Sequence, residues 1–203
     1  MTSVLVFGGS FDPVHIGHLS IAAQARELTG AAEVWFVPAA VAPMRDHLAA
    51  APEDRLALLG AATGDQPHTR VLDLAVRIGG VSYTAETMDA LRREHPLAEL
   101  AVLVGADAAR TIPAWHRAAD LLALEHFVVV NRTGPPPLDT DELSRLGFAP
   151  LSTTLLSVDS PNISASDVRR RCADGRSLAG LVPDAVAALI AEKGMYRSNL
   201  DDA

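Results

Sequence analysis

The chain has 203 residues, 49% hydrophobic and 21% charged, with a formal net charge of −8. That length suits one domain with a real core, and the acidic balance argues against a nucleic-acid binder, whose footprint is basic. No run approaches the ~18 apolar residues of a membrane span, and Cys172, the only cysteine, excludes an intramolecular disulfide and a cysteine metal cluster. Val4–Phe7 is too short for a signal peptide and lacks a basic flank, so the cytoplasm is the expected compartment.

Ser3–Phe7 reads as a buried strand that runs into Gly8-Gly9 and a tight turn, with a turn-favouring Asp12-Pro13 pair behind it. Ile16–Leu28 then carries apolar residues at helical spacing. Strand, glycine loop and helix N-terminus together offer free amides to phosphate. His15 and His18 share one face of the new helix and add donors that a structural turn does not need. A helical zinc pair has i, i+4 spacing and a third ligand, which this pair lacks. The loop lacks the Gly-Lys-Ser/Thr ending of a P-loop, and its third glycine is out of register for the dinucleotide fingerprint. A nucleoside triphosphate is the expected ligand.

Glu33–Val37, Thr69–Leu74, Leu100–Val104 and Phe127–Val130 read as further buried strands, with Leu155–Val158 a weaker sixth. Between them Pro52–Ala62, Thr84–Glu94 and Ala106–Leu124 read as helices. Pro52, Glu53 and Asp54 suit a first turn, Pro96 closes the next helix, and Pro113 divides the last into two. Arg132–Asp141, with three consecutive prolines, reads as a surface loop, and Ser164–Ala173 and Pro183–Glu192 as two closing helices. This alternation predicts an α/β fold, a doubly wound parallel sheet covered on both faces. Residues 1–160 would form the nucleotide-binding core. Residues 161–203 would be a small C-terminal helical subdomain of the same domain, packed at the sheet edge.

Two further places carry chemistry. Asn162 or Ser164 can cap the helix after the sixth strand, with Ser166 and Asp167 in its first turn and Arg169 on one face, which makes a second anion site. Asp107, just past the fourth strand, stands where open α/β sheets bind ligands.

Gly9-Ser10-Phe11-Asp12-Pro13-Val14-His15-Ile16-Gly17-His18 and Ile163-Ser164-Ala165-Ser166-Asp167-Val168-Arg169 resemble the two signatures of the nucleotidylyltransferase superfamily. Gly79-Gly80-Val81-Ser82-Tyr83-Thr84, Gly105-Ala106-Asp107-Ala108, Trp115 and the ending Val182-Pro183 through Tyr196 resemble, more narrowly, bacterial nicotinate mononucleotide adenylyltransferases. The resemblance spans nearly the whole chain. It implies a Rossmann-like nucleotidyltransferase of NAD biosynthesis, in which a mononucleotide phosphate attacks the α-phosphorus of ATP without a covalent intermediate. The products would be nicotinate adenine dinucleotide and pyrophosphate.

The resemblance also implies catalytic roles for His18, His15 and Arg169. It implies an ATP site of Gly8, Gly9, Ser10, Phe11, His15, His18, Gly105, Asp107, Ile163, Ser164, Ser166 and Arg169. Arg45, Tyr83, Thr84, Trp115 and Arg132 would serve the acceptor nucleotide, with Tyr83 and Thr84 near the pyridine carboxylate, Trp115 stacked on the ring, and Arg132 also a phosphate- or adenine-side candidate. Mg²⁺ is expected as cofactor, held by ATP phosphates and water with no protein ligand. The expected partners are ATP and a pyridine mononucleotide, not nucleic acid or membrane, and a homo-oligomer is left open. Pro43-Met44-Arg45 stands where the family has a lysine, and Ala165 where it carries a hydroxyl. These departures leave open nicotinamide mononucleotide or another phosphorylated acceptor. A non-catalytic nucleotide-binding regulator on the same scaffold would lack the histidines or Arg169, which are present.

Overall fold

The computed structural model describes residues 2–43, 48–133 and 136–197. Six strands among them, β1 (Thr2–Gly9), β2 (Glu33–Pro38), β3 (Thr69–Val71), β4 (Ala98–Gly105), β5 (His126–Arg132) and β6 (Thr153–Val158), form one sheet. The order is β3-β2-β1-β4-β5-β6 and every pairing is parallel, which is the doubly wound arrangement expected.

The helices are α1 (Ile16–Thr29), α2 (Pro52–Thr63), α3 (Leu74–Ile78), α4 (Thr84–Glu94), α5 (Ala106–Ala109), α6 (Ala118–Leu124), α7 (Thr140–Arg145), α8 (Ala165–Ala173) and α9 (Asp184–Glu192). The sheet is buried on both faces, which is why its strands are near-continuous Val and Leu. Alternate residues of β1 divide between two cores. Leu5 and Phe7 pack with Ile21 and Ala25 of α1, Leu58 and Leu59 of α2, Val168 of α8 and Ile190 of α9. Val4 and Val6 pack with Leu74 of α3, Met88 and Leu91 of α4, Ala109 of α5 and Leu121 of α6.

Three local expectations need correction. The strand at residue 69 ends at Val71, and Leu74 instead opens the five-residue α3. The Ala106–Leu124 stretch breaks into three pieces. Pro113 sits in a 3₁₀ turn over Ile112–Ala114, and Arg117, at φ 55°, cannot continue a right-handed helix. The Arg132–Asp141 loop is shorter than expected, because β5 runs through Arg132 and α7 begins at Thr140 on its Asp139 cap. Buried Asn131 closes it, donating to the Leu138 carbonyl and accepting from its amide, both at 2.8 Å.

The register places the site. β1 and β4 pair only as far as Val6↔Val102, whereas β1 follows β2 to Gly9↔Pro38. Beyond Val6 the two central strands part. A doubly wound sheet opens its ligand crevice at this point, because successive connections leave in opposite directions.

Candidate active site

A cavity of about 570 Å³ fills the crevice, lined by Val6 and Gly8 from β1, Val102 and Val104 from β4, and the loops above them. That volume suits a nucleotide-sized ligand. Of the sequence candidates, Gly8, Gly9, Ser10, Phe11, His18, Tyr83, Thr84 and Trp115 all line it.

The glycine pair works differently from the expected tight turn. Gly8 and Gly9 are the last residues of β1 and neither has a positive φ; the left-handed residue is Phe11, at φ 47°. A Cβ on Gly9 would stand 2.9 Å from the Phe11 ring, so its role is close approach. Phe11 packs edge-on to His18 at 5.1 Å between centroids and to Phe7 at 5.5 Å, which buttresses His18 from the loop side.

His15 is the residue before α1, and its ring stacks on His18 at 3.7 Å between centroids. His18 Nδ1 accepts from the His15 backbone N–H at 3.3 Å. The neutral His18 ring therefore carries its proton on Nε2, free to donate to a ligand. Burial, then the Arg132 charge, lowers His15 from 6.5 to about 4. Burial, then His15 and Arg132, holds His18 well below its ordinary value. His15 itself is buried outside the lining, and its Nδ1 has no hydrogen-bond partner among the described residues.

Opposite the histidines stands the start of α4. Tyr83, its N-cap, provides no side-chain cap for the first-turn amides, and Tyr83, Thr84 and Thr87 all line the crevice. Tyr83 packs on His116 at 4.3 Å, and His116 Nε2 lies 3.6 Å from Glu86. The half-buried Trp115 ring lines the cavity, fixed by Nε1–H donation to Thr111 Oγ1 at 2.9 Å. A short parallel bridge, Val41↔Val81, ties the loop after β2 to the loop before α4. Gly79 and Gly80 make that bridge possible at φ 73° and 67°.

The remaining candidates lie around the rim. Ser164 caps α8 by accepting the Asp167 N–H at 3.1 Å, and Ala165 alone of α8 reaches the lining. Arg169 donates to the Asp12 carbonyl at 2.5 Å and to Ser166 Oγ at 3.4 Å. Ile163 has its side chain in the core, and its backbone N–H donates to the Pro161 carbonyl at 2.8 Å. Gly105 is the residue before α5, whose second residue is the exposed Asp107. Arg132 is 3.3 Å from Asp107 and 3.5 Å from Asn162, and it lies outside the lining that holds Tyr83 and Trp115. Met44 and Arg45 lie outside the described residues.

Three residues escaped the sequence reading. Asp12, read there as a turn former, is 2% exposed; its carboxylate accepts from the Ala49 N–H at 2.7 Å, the Ala50 N–H at 3.1 Å and the Tyr196 hydroxyl at 2.9 Å. Arg55, fully buried, donates to the carbonyls of Ser10, Ala40 and Ala50 and so ties together the loops at the crevice floor. Its signal was visible: Arg55 shares the i, i+3, i+4, i+7 stripe of Leu58, Leu59 and Ala62, where a solvated arginine would not sit. Burial and the Asp12 carboxylate push the Tyr196 phenol up, so it remains a donor.

The donor set also bears on metal. Asp12, the carboxylate of the lining, already accepts from two N–H groups and one O–H, and among the described residues no group of three or more His, Cys, Asp or Glu is placed to hold an ion.

The cytidylyltransferase-like family profile matches residues 6–171. A probable nicotinate-nucleotide adenylyltransferase of Herpetosiphon aurantiacus is 36% identical, covering 97% of this chain and 99% of the relative. One from Saccharopolyspora erythraea is 35% identical over 98% and 91% of the two chains. Among solved structures, Plasmodium falciparum nicotinic acid mononucleotide adenylyltransferase complexed with NaAD superposes with a TM-score of 0.81 at 17% identity, covering 97% of this chain and 98% of the other. The same enzyme complexed with APC gives 0.76 at 16%, covering 97% and 98%. The chain belongs to the cytidylyltransferase-like family of nucleotidyltransferases, among its nicotinate-nucleotide adenylyltransferases.

Proposed function

We propose that this protein transfers the adenylyl group of ATP to nicotinate mononucleotide, releasing pyrophosphate and forming nicotinate adenine dinucleotide for NAD biosynthesis. The observation that carries the reading is one crevice with a neutral histidine donor on one wall and an uncapped helix start beside a tryptophan on the other. The triphosphate lies along the glycine strand end, His18 and α8. His18 Nε2–H donates to an oxygen of the α-phosphoryl group as charge gathers there. The N-terminus of α8 and Arg169 receive the β- and γ-phosphates.

The acceptor's phosphate oxygen attacks the α-phosphorus in line, the bond to the β-phosphate bridge breaks, and pyrophosphate departs with the electron pair. The attacking phosphate is already anionic, so no general base is required, and positioning supplies most of the acceleration. Mg²⁺ carried by the triphosphate supplies counter-charge when bound.

The α4 start argues for a nicotinate acceptor. Unfilled first-turn amides and a positive dipole end favour a carboxylate over a neutral amide. Trp115 offers its face to the pyridine ring. Arg132, held by Asp107 and Asn162 and close enough to the histidines to lower their pKa values, serves the ATP side. The enzyme acts in the cytoplasm on small molecules, and no helix among the described residues is long and apolar enough to cross a membrane. The reading of one domain, with α8 and α9 in the same folding unit as the sheet, is supported by Val168, Val186 and Ile190, which share the core of Leu5 and Val34.

Pyrophosphate release with ATP and Mg²⁺ is the test, with nicotinate and nicotinamide mononucleotides compared. We expect nicotinate mononucleotide to win by at least ~10-fold in kcat/KM, the discrimination a charged group gains over a neutral one at such a site. Silence with both acceptors overturns the reading.

A further inference from the structure

We propose that Asp12 and Tyr196 are positioning residues that aim the Arg169 guanidinium at the triphosphate. The proposal rests on the role given to Arg169 above. Arg169 Nη1–H donates to the Asp12 carbonyl at 2.5 Å and stands 3.9 Å from Asp12 Oδ2, so backbone and side chain of one residue both fix the fork. Asp12 cannot pivot, because two backbone N–H groups hold its carboxylate and the Tyr196 hydroxyl closes on Oδ1 from beyond α9.

Asp12 lines the crevice although it is 2% exposed, so any rotation there reaches both the loop against the ligand and the arginine. The two residues flanking this arrangement, Phe11 and Tyr196, both sit at left-handed φ, 47° and 58°. Non-glycine residues hold that conformation only where their surroundings over-determine it. Tyr196 lies outside the cavity lining with its hydroxyl on Asp12, so it acts through Asp12 and not on the substrate.

The test is steady-state kinetics on the full chain with ATP, Mg²⁺ and nicotinate mononucleotide, for Tyr196→Phe, Arg169→Ala and the double variant, with thermal midpoints. Loss of the hydroxyl alone should lower kcat about 10-fold, the scale of a sub-ångström misplacement, with KM for the acceptor within about two-fold. In the Arg169→Ala background the same change should cost nothing further, because its route to the phosphates is gone. Asp12→Asn, which keeps shape and discards charge, should reproduce this pattern more deeply.

A merely structural Tyr196 would lower the thermal midpoint and leave kcat of the folded enzyme unchanged, or cost the same factor in both backgrounds; either result overturns the proposal. Should Arg169→Ala itself keep kcat within a few-fold, the role assigned to Arg169 fails first. Should Arg169→Ala lose about 10²-fold and Tyr196→Phe nothing, the positioning inference alone fails.

Discussion

His18 owes its suitability to three neighbours. The His15 amide fixes which nitrogen carries the proton, the stacked His15 ring disfavours a second positive charge, and Phe11 holds the ring edge. The outcome is a neutral donor that needs no deprotonation to work near pH 7. His18→Ala should lower kcat by ~10²–10³ with only modest change in the ATP KM, since a donor aimed at developing charge acts mainly in the transition state. Turnover within a few-fold of wild type would remove His18 from the mechanism. At this scale the sequence exposed the candidate site residues and hid their supports. His15-x-x-His18 and Ser164 through Arg169 are motifs whose chemistry is local to a few positions. Asp12 and Arg55 bind chain segments separated by up to 184 positions, and no local pattern records such a partnership.

Among the elements, α8 shows how a secondary-structure signal and a ligand signal coincide in one side chain. Ser164 caps the helix, and the amides it helps to order are those that the proposed site offers to the phosphates. Ser164→Ala should cost about 1 kcal/mol, a fall of ~2–4 °C in thermal midpoint for a chain of this size, and should raise the ATP KM. Ser164→Asn should restore the midpoint because Asn caps equally well. Any kinetic deficit left in that variant reports a direct hydroxyl contact, and full kinetic recovery would limit Ser164 to capping.

Long elements with terminal punctuation were legible: α4 spans Thr84–Glu94 as expected, with the chain turning at Pro96. Short ones were not. α3 has five residues, and α7, TDELSR, is polar and one turn and a half long, too brief to show a period against its proline-rich approach.

For the molecule as a whole, the buried histidines set a pH dependence. His15 has a folded value of about 4 against 6.5 unfolded, so between those limits the unfolded chain binds a proton that the native state refuses. Stability is therefore full above about pH 7 and declines as pH falls through 6.5 toward 4, by on the order of 3 kcal/mol for His15, with His18 acting in the same direction. The thermal midpoint should drop between pH 7.5 and pH 5, and His15→Asn should flatten that slope. A midpoint equally high at pH 5 would contradict the burial of these rings.

The doubly wound order followed from the alternation of apolar runs and helices. The parting of β1 from β4 after Val6 did not, because it depends on strand register, which a parallel sheet of Val and Leu does not print in its sequence.

The β1–β4 pairing and the Tyr196–Asp12 bond also govern the order in which a growing chain becomes competent. Thr2 finds its β4 neighbour only at Ala98, and Asp12 its phenol partner only at Tyr196. At ~5–20 residues per second, a ribosome needs on the order of ten seconds or more to span that second interval. Until β4 is made β1 stands with an open edge, and until Tyr196 is made the glycine loop lacks one of the bonds that hold it. The segment proposed to grip the triphosphate thus precedes by 184 positions one of the partners that fix it.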